Sequence, residues 1–283
     1  MKKQLISMVL MAAMTVSMMT GCGSSDGKKA EEPSSGNQQA AEAMTGDEGK
    51  AAEGGADYSY HWKLATTESS DYYMTQLSQE FLDIVEEKTG GKVTGEVFAS
   101  GQLGGLVDAL EGLEMGNIDI VMDGVSSLSA VNDIFNVWCL PFLYDNKEHQ
   151  YRFWDNHFDE VSDMVAEQSG FRLVSVIDGM NRELACTVPV ESLEDLKGLK
   201  IRVPNIPGYV RIWECLGAAP IPMSLSEVYT SIQTGVVQGQ ENDIALTLSL
   251  KFYEVAPYCV MTDHVAYEGS FYFNEEEYQS YPD

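Results

Sequence analysis

Between Trp62 and Met122, short apolar runs alternate with longer stretches of helical periodicity, and this alternation fixes the class of fold. Trp62 to Thr66 reads as a strand. From Asp71 to Lys88, Tyr73, Leu77, Phe81, Ile84 and Val85 recur at the spacing of one helix face. Gly90-Gly91 stops that helix, and Val93 to Phe98 alternates as a strand does. Leu103 to Met115 is helical again and ends at Gly116. Ile118 to Met122 is continuously apolar, as a strand inside a parallel sheet is. Strand, helix, strand, helix, strand is the βαβ pattern of an open α/β domain.

A second region repeats the mixture, although no internal sequence repeat is evident. Arg172 to Ile177, Leu184 to Thr187 and Leu199 to Val203 read as strands. Tyr209 to Leu216 is a helix closed by Gly217, and Ser226 to Thr234 a helix stopped by Gly235, with Val236-Val237 opening the next strand. Ligands of such folds bind beyond the carboxyl ends of strands or between domains.

The chain of 283 residues carries 44 acidic and 17 basic side chains, a formal charge of −27. That balance excludes nucleic acid as a partner, because phosphate binding needs a basic face. It also argues against electrostatic docking on anionic lipid. Only Arg152, Arg172, Arg182, Arg202 and Arg211 supply guanidinium groups.

Residues 1–21 read as a secretory signal peptide. Lys2 and Lys3 precede an apolar run from Leu5 to Met19 that is shorter than a bilayer crossing. The run ends in Met19-Thr20-Gly21-Cys22, which resembles a bacterial lipobox with Cys22 as the lipid-bearing residue. A diacylated cysteine gives stable anchoring. Residues 22–57 are rich in Gly, Ala, Ser, Glu, Gln and Lys and hold no aromatic residue, the composition of a flexible tether. Its r.m.s. reach would be roughly 30–35 Å. The expected location is therefore extracytoplasmic, anchored to the outer face of the cytoplasmic membrane or periplasmic.

Cys139, Cys186, Cys215 and Cys259 show neither CxxC nor zinc-type spacing, so no metal is expected and buried free thiols are the simplest reading. His149 and His157 lie among Tyr151, Arg152, Phe153, Trp154 and Asp155, the surface of a helix. There is no GxSxG, HExxH, P-loop or GxGxxG, which favours binding over catalysis and implies no cofactor.

Arg202 stands in Lys200-Ile201-Arg202-Val203-Pro204. Ile201 and Val203 point to one face of a strand and Arg202 to the other. An arginine near a strand's carboxyl end can project into a ligand crevice, where its planar fork matches a carboxylate. Spacing alone equally allows a surface ion pair.

Several blocks in order resemble the DctP-type solute-binding proteins of tripartite ATP-independent periplasmic (TRAP) transporters. They are Gly101-Gln102-Leu103-Gly104-Gly105, Gly116-Asn117-Ile118-Asp119, Leu140-Pro141-Phe142-Leu143-Tyr144, Leu196 to Asn205, Glu227-Val228-Tyr229, Gln233 to Val237, and Gly239-Gln240-Glu241-Asn242. The resemblance spans about Trp62 to Tyr272. It implies a two-domain periplasmic-binding-protein-like cleft that closes about a hinge, with domain I at 58–179, joined by 268–283, and domain II at 180–267. It implies that Arg202 makes a two-pronged salt bridge to a ligand carboxylate. Arg182 would be a second cleft arginine, and Asn242 and Asn205 further contacts. Looser matches are Thr66 and Glu68 in the loop after the first strand, and Asp123 to Ser126 after the third, position 125 among them.

By that resemblance the protein is not an enzyme. It would capture a C4-dicarboxylate, a uronate or another sugar acid and pass it, as a monomer, to small and large membrane subunits of the DctQ/DctM type. A binding protein for an ATP-driven importer and an exported lipoprotein hydrolase are the alternatives. Leu225 stands where the family often has an aromatic residue, and Gln238 where an aspartate is frequent. Family members continue past Tyr281-Pro282-Asp283 with helices, so C-terminal helices are expected to be missing and the strand Ser270 to Asn274 to expose apolar surface.

Overall fold

The computed structural model describes residues 58–282. The signal peptide, Cys22 and the tether lie outside the described residues. The chain runs β1 (Tyr60–Ala65), α1 (Tyr73–Thr89), β2 (Val93–Phe98), α2 (Leu106–Glu114) and β3 (Ile120–Gly124). Two 3-10 turns follow, Val125–Ala130 and Asp133–Cys139, and lead to α3 (Lys147–Ser169), β4 (Phe171–Leu173) and β5 (Ile177–Cys186). Next come β6 (Lys200–Val203), α4 (Pro207–Cys215), β7 (Ala219–Pro222), α5 (Val228–Gln233), β8 (Gly239–Asp243), α6 (Ile244–Ser249), β9 (Tyr258–Asn274) and α7 (Glu275–Ser280).

One sheet holds all nine strands, in the order β2-β1-β3-β9-β5-β8-β6-β7, with β4 also paired to β9. At one end β1 lies parallel between β2 and β3, and at the other β6 lies parallel between β7 and β8. Each end is wound in the same chain order, the first strand central, the second outside it and the third inside. The topology thus repeats where the residues do not. The long strands β5 and β9 run antiparallel between the two ends and join them.

Local chemistry sets the element ends. Gly90 takes a left-handed φ of 62° that ends α1, its N–H bonding back to Glu87 O at 3.2 Å. Gly105 N donates to Asp108 Oδ2 at 2.8 Å, and Asn146 Oδ1 accepts from His149 N at 2.9 Å, fixing the starts of α2 and α3. Pro220 and Pro222 lie in β7, an edge strand, where a missing N–H is tolerated.

The structure corrects several expectations. β5 is one ten-residue strand, not a short segment from Leu184, because the polar run Asp178 to Glu183 is paired to β9 on one side and, from Arg182, to β8 on the other. Leu225–Glu227 is a 3-10 turn before a shorter α5. Two of the four cysteines are exposed: Cys215 follows the buried Trp213 by two positions and so faces away from it on α4, and Cys259 lies in the exposed first part of β9. Cys139 and Cys186 are buried, and all four are free.

The end of β9 is covered. Phe271, Tyr272 and Phe273 are 5%, 0% and 3% exposed. Phe81 of α1 stacks on Phe271 at 4.7 Å, while Trp62 and Tyr278 meet Phe273 edge-on at 5.3 and 5.9 Å. Exposed apolar side chains gather elsewhere, at Leu140, Phe142 and Leu193, which border a groove beside α4. Among the described residues, no helix is long and apolar enough to cross a membrane, and no group of three metal-ligating side chains occurs.

Candidate ligand-binding cleft

A cavity of about 170 Å³ opens where the carboxyl ends of β3, β6 and β8 converge on β5 and β9. Arg202, on β6, lines it and is only 3% exposed. Its Nε and Nη2 donate to the Met223 carbonyl at 3.1 and 2.8 Å. Among the described residues no carboxylate pairs with it, and Nη1 has no hydrogen-bond partner. Burial pushes its pKa down to about 10, with Glu241 opposing and Arg182 adding to the fall. Its hydrogen bonds thus go to a single carbonyl, while Glu241, Asp123 and Glu227 act on it from a distance.

Arg182, on β5, is differently provided for. Its Nε donates to Glu241 Oε2 at 2.6 Å, and its Nη2 to Glu241 Oε1 and the Glu241 carbonyl at 2.9 and 3.0 Å. The rings of Tyr209 and Tyr267 lie 4.8 and 5.6 Å from the guanidinium carbon. Burial alone would lower its pKa, but Glu241, together with Tyr209 and Tyr267, outweighs burial and raises it. Burial would likewise raise Glu241, yet Arg182 and His264 hold it at about 2. Two of Arg182's three nitrogens are thus committed within the protein, leaving Nη1 as the remaining donor toward the cavity.

Carboxylates and hydroxyls form the facing wall. Glu68 is 3% exposed and lines the cavity. Its Oε1 accepts from Tyr267 OH at 2.9 Å, whereas its buried Oε2 has no partner. Asp123 Oδ1 accepts from Gly124 N and Ser127 Oγ, and its Oδ2 accepts no hydrogen bond. Burial raises the pKa of both acids. Tyr72 OH donates to Asp243 Oδ2 at 2.9 Å, and Ser126 Oγ meets Tyr209 OH at 3.0 Å, tying β3 and α1 to the elements across the cavity.

Of the residues singled out in the sequence, Arg202, Arg182, Asn242, Asn205, Glu68 and Asp123 come together on this cavity. Asn242 is buried and uses Oδ1 to accept from Asp243 N, and Asn205 is exposed at the rim. Thr66 is not among the lining residues. Its Oγ1 accepts from Glu68 N at 3.2 Å, so it shapes the turn that presents Glu68, and Thr67 reaches the cavity instead. Position 125 is Val125, fully buried in the core; the hydroxyls at the cavity belong to Ser126 and Ser127.

Tyr209, Tyr267, Tyr72 and Asp243 were not anticipated. A signal for Asp243 existed: Gly239 to Asp243 is a central strand with four consecutive polar side chains, and all five of its residues are buried. Side chains of that kind are almost never fully buried unless paired.

The family described as bacterial extracellular solute-binding protein, family 7 (DctP) matches residues 64–283. A solute-binding protein of Roseobacter denitrificans is 36% identical over 178 residues, which are 62% of this chain and 54% of that protein. The chain spans a little over half the length of the curated relatives it matches first. A TRAP periplasmic solute-binding protein from a Sulfitobacter species, solved with bound β-D-galacturonate, superposes with a TM-score of 0.75 at 30% identity, covering 78% of this chain and 74% of that one. A TRAP periplasmic solute-binding protein from Sulfurospirillum deleyianum, solved with succinate, gives 0.74 at 26% identity, covering 80% and 73%. With a family match across nearly all of the described residues and solved relatives superposing at TM-scores of 0.75 and 0.74, the chain belongs to the DctP-type solute-binding proteins of TRAP transport systems.

Proposed function

We propose that this protein captures an organic acid by its carboxylate and delivers it to the membrane subunits of a TRAP transporter, without chemical turnover. The carrying observation is Arg202: a buried guanidinium, bordering a cavity, with no carboxylate partner among the described residues. A ligand carboxylate supplies the missing anion and takes the open side of the fork. Arg182 Nη1, Asn242 and Asn205 complete the polar contacts.

The cleft lies between two lobes, residues 58–179 with 268–283 and residues 180–267. The register of β5 against β9 shifts between Asp178 and Asn181, which favours a hinge there. The hydrogen bonds Tyr72–Asp243, Ser126–Tyr209 and Ser69–Ser249 are the latch of the closed form. Signal peptide, Cys22 and tether together hold the binding lobes at the outer face of the cytoplasmic membrane, within reach of the transporter.

A thermal-shift screen against uronates, aldonates, C4-dicarboxylates and keto acids tests the reading. A ligand at 100 times its dissociation constant adds about 2.7 kcal/mol. A shift with one acid class, abolished in Arg202→Ala, supports it. Uncharged sugars shifting the melt as strongly as their acids would refute it.

A further inference from the structure

Around the cavity one ion pair forms, and the charged groups left over restrict the ligand. Arg182 is neutralised by Glu241. Among the described residues lining the cavity, Arg202 is the one cation left for a ligand, and a single carboxylate satisfies it. Glu68, Asp123 and Asp243 remain, all buried, and no cation pairs with them among the described residues. A second ligand carboxylate entering this wall would meet anionic or proton-sharing oxygens, and the nearby positive charges are Arg182, already paired with Glu241, and Arg202, taken by the first carboxylate.

Glu68 carries the more specific signal. Glu68 lines the cavity, Tyr267 OH fixes its Oε1 at 2.9 Å so that the carboxyl is held in place, and its Oε2 is buried and unpartnered. An orphaned buried oxygen costs free energy until a ligand group reaches it. Burial, then Asp123 and Asp243, raise the Glu68 pKa, and the ligand group that best suits this carboxyl is one that serves it with or without its proton. A hydroxyl does this, donating to the ionised carboxyl and accepting from the neutral one. The Oδ2 of Asp123 offers a second acceptor on the same wall.

We propose that the cleft selects a monocarboxylic acid bearing hydroxyl groups on its tail, that Glu68 reads one of those hydroxyls, and that a dicarboxylate is refused. This rests on the reading that Arg202 holds the ligand carboxylate, and it identifies what the rest of the ligand must be.

Calorimetric titration of the parent, Glu68→Gln and Arg202→Ala with D-galacturonate, D-glucuronate, D-gluconate and succinate tests it. The parent should bind at least one hydroxylated acid on the order of 100-fold tighter than succinate. Glu68→Gln should shrink that ratio by about tenfold or more, because an amide can donate to a carboxylate and loses the fixed acceptor. Asp123→Asn gives a second measurement should Glu68→Gln fold poorly. Succinate binding as tightly as the best hydroxylated acid would overturn the inference while leaving the acid-binding reading intact. An unchanged ratio in Glu68→Gln would remove Glu68 as the reader. If the parent binds none of the four acids, the organic-acid reading fails and the inference falls with it.

Discussion

Arg182 and Glu241 face each other from the adjacent strands β5 and β8 and close a two-pronged ion pair, with N–O distances of 2.6 and 2.9 Å and side chains 5% and 0% exposed. His264 Nε2 lies 3.2 Å from the same Glu241 oxygen and packs edge-on against Trp213. Breaking one member of a buried pair leaves an uncompensated charge, at a cost of about 3–5 kcal/mol. Glu241→Gln should therefore lower unfolding free energy by that amount in urea titration. A loss below about 1 kcal/mol, the range of exposed pairs, would show that the pair is not structural. The acid limb follows from the same contact. Glu241 sits at about 2 against an ordinary 4.5, so its stabilisation is present above pH 4.5 and is lost as pH falls toward 2.

Arg202 should separate binding from stability. Removing a guanidinium that a ligand carboxylate engages in a buried site costs on the order of 2–5 kcal/mol of binding, or roughly 30-fold to several thousand-fold in affinity. The ligand-free protein loses only the two hydrogen bonds to the Met223 carbonyl and is relieved of a buried cation without an ion-pair partner. Arg202→Ala should then melt near the parent without ligand and show almost no ligand-induced shift. Arg202→Lys should bind weakly as well, since an ammonium cannot form the fork. Parent-like affinity in both variants would place the carboxylate elsewhere.

The buried acid wall gives a pH dependence of opposite sign to that of Glu241. The folded-state pKa of Glu68 lies above its ordinary 4.5, from burial, Asp123 and Asp243, with Tyr267 and Arg182 opposing. Its contribution is therefore fully present below pH 4.5 and is lost as pH rises through the folded value. Glu68→Gln has no proton to lose. Its melting temperature relative to the parent should rise as the pH is raised above 4.5. A difference that is flat with pH would mean Glu68 keeps an ordinary pKa.

The first parallel end was legible because its strands and helices carry clean periodicities, as in Leu77, Phe81, Ile84 and Val85 on α1, whereas at the second end the edge strand β7 went unread and β8 begins at Gly239 instead of Val236. The connecting strands were not legible. β5 is paired through Asp178-Gly179-Met180-Asn181-Arg182-Glu183, a run whose polar side chains are satisfied by partners distant in sequence. Arg182 was singled out by the resemblance as a cleft arginine, but its pairing with Glu241, 59 positions away, has no local signal. Arg202 was legible from its strand position, but its lack of a carboxylate partner is a property of the assembled cleft. Glu68 was noted only as part of a loop. Its orphaned oxygen depends on Tyr267, 199 positions later, and no local pattern encodes that.

Gly179 lies where β5 changes register against β9, and its place admits no side chain. A Cβ there would stand 2.5 Å from the Tyr267 carbonyl oxygen and 2.8 Å from its ring. The nearest atom is backbone, so no rotamer change can make room. Gly179→Ala must displace β9 at Tyr267, the residue whose hydroxyl holds Glu68. Overpacking of this kind costs about 1–3 kcal/mol. The same displacement should loosen Glu68 and weaken the preferred acid several-fold while leaving Arg202 and its Met223 contact untouched. Thermal melts and titration with that acid, side by side on Gly179→Ala and the parent, check both effects. Parent-like values in both would mean that β9 yields without strain and that Tyr267 does not position Glu68.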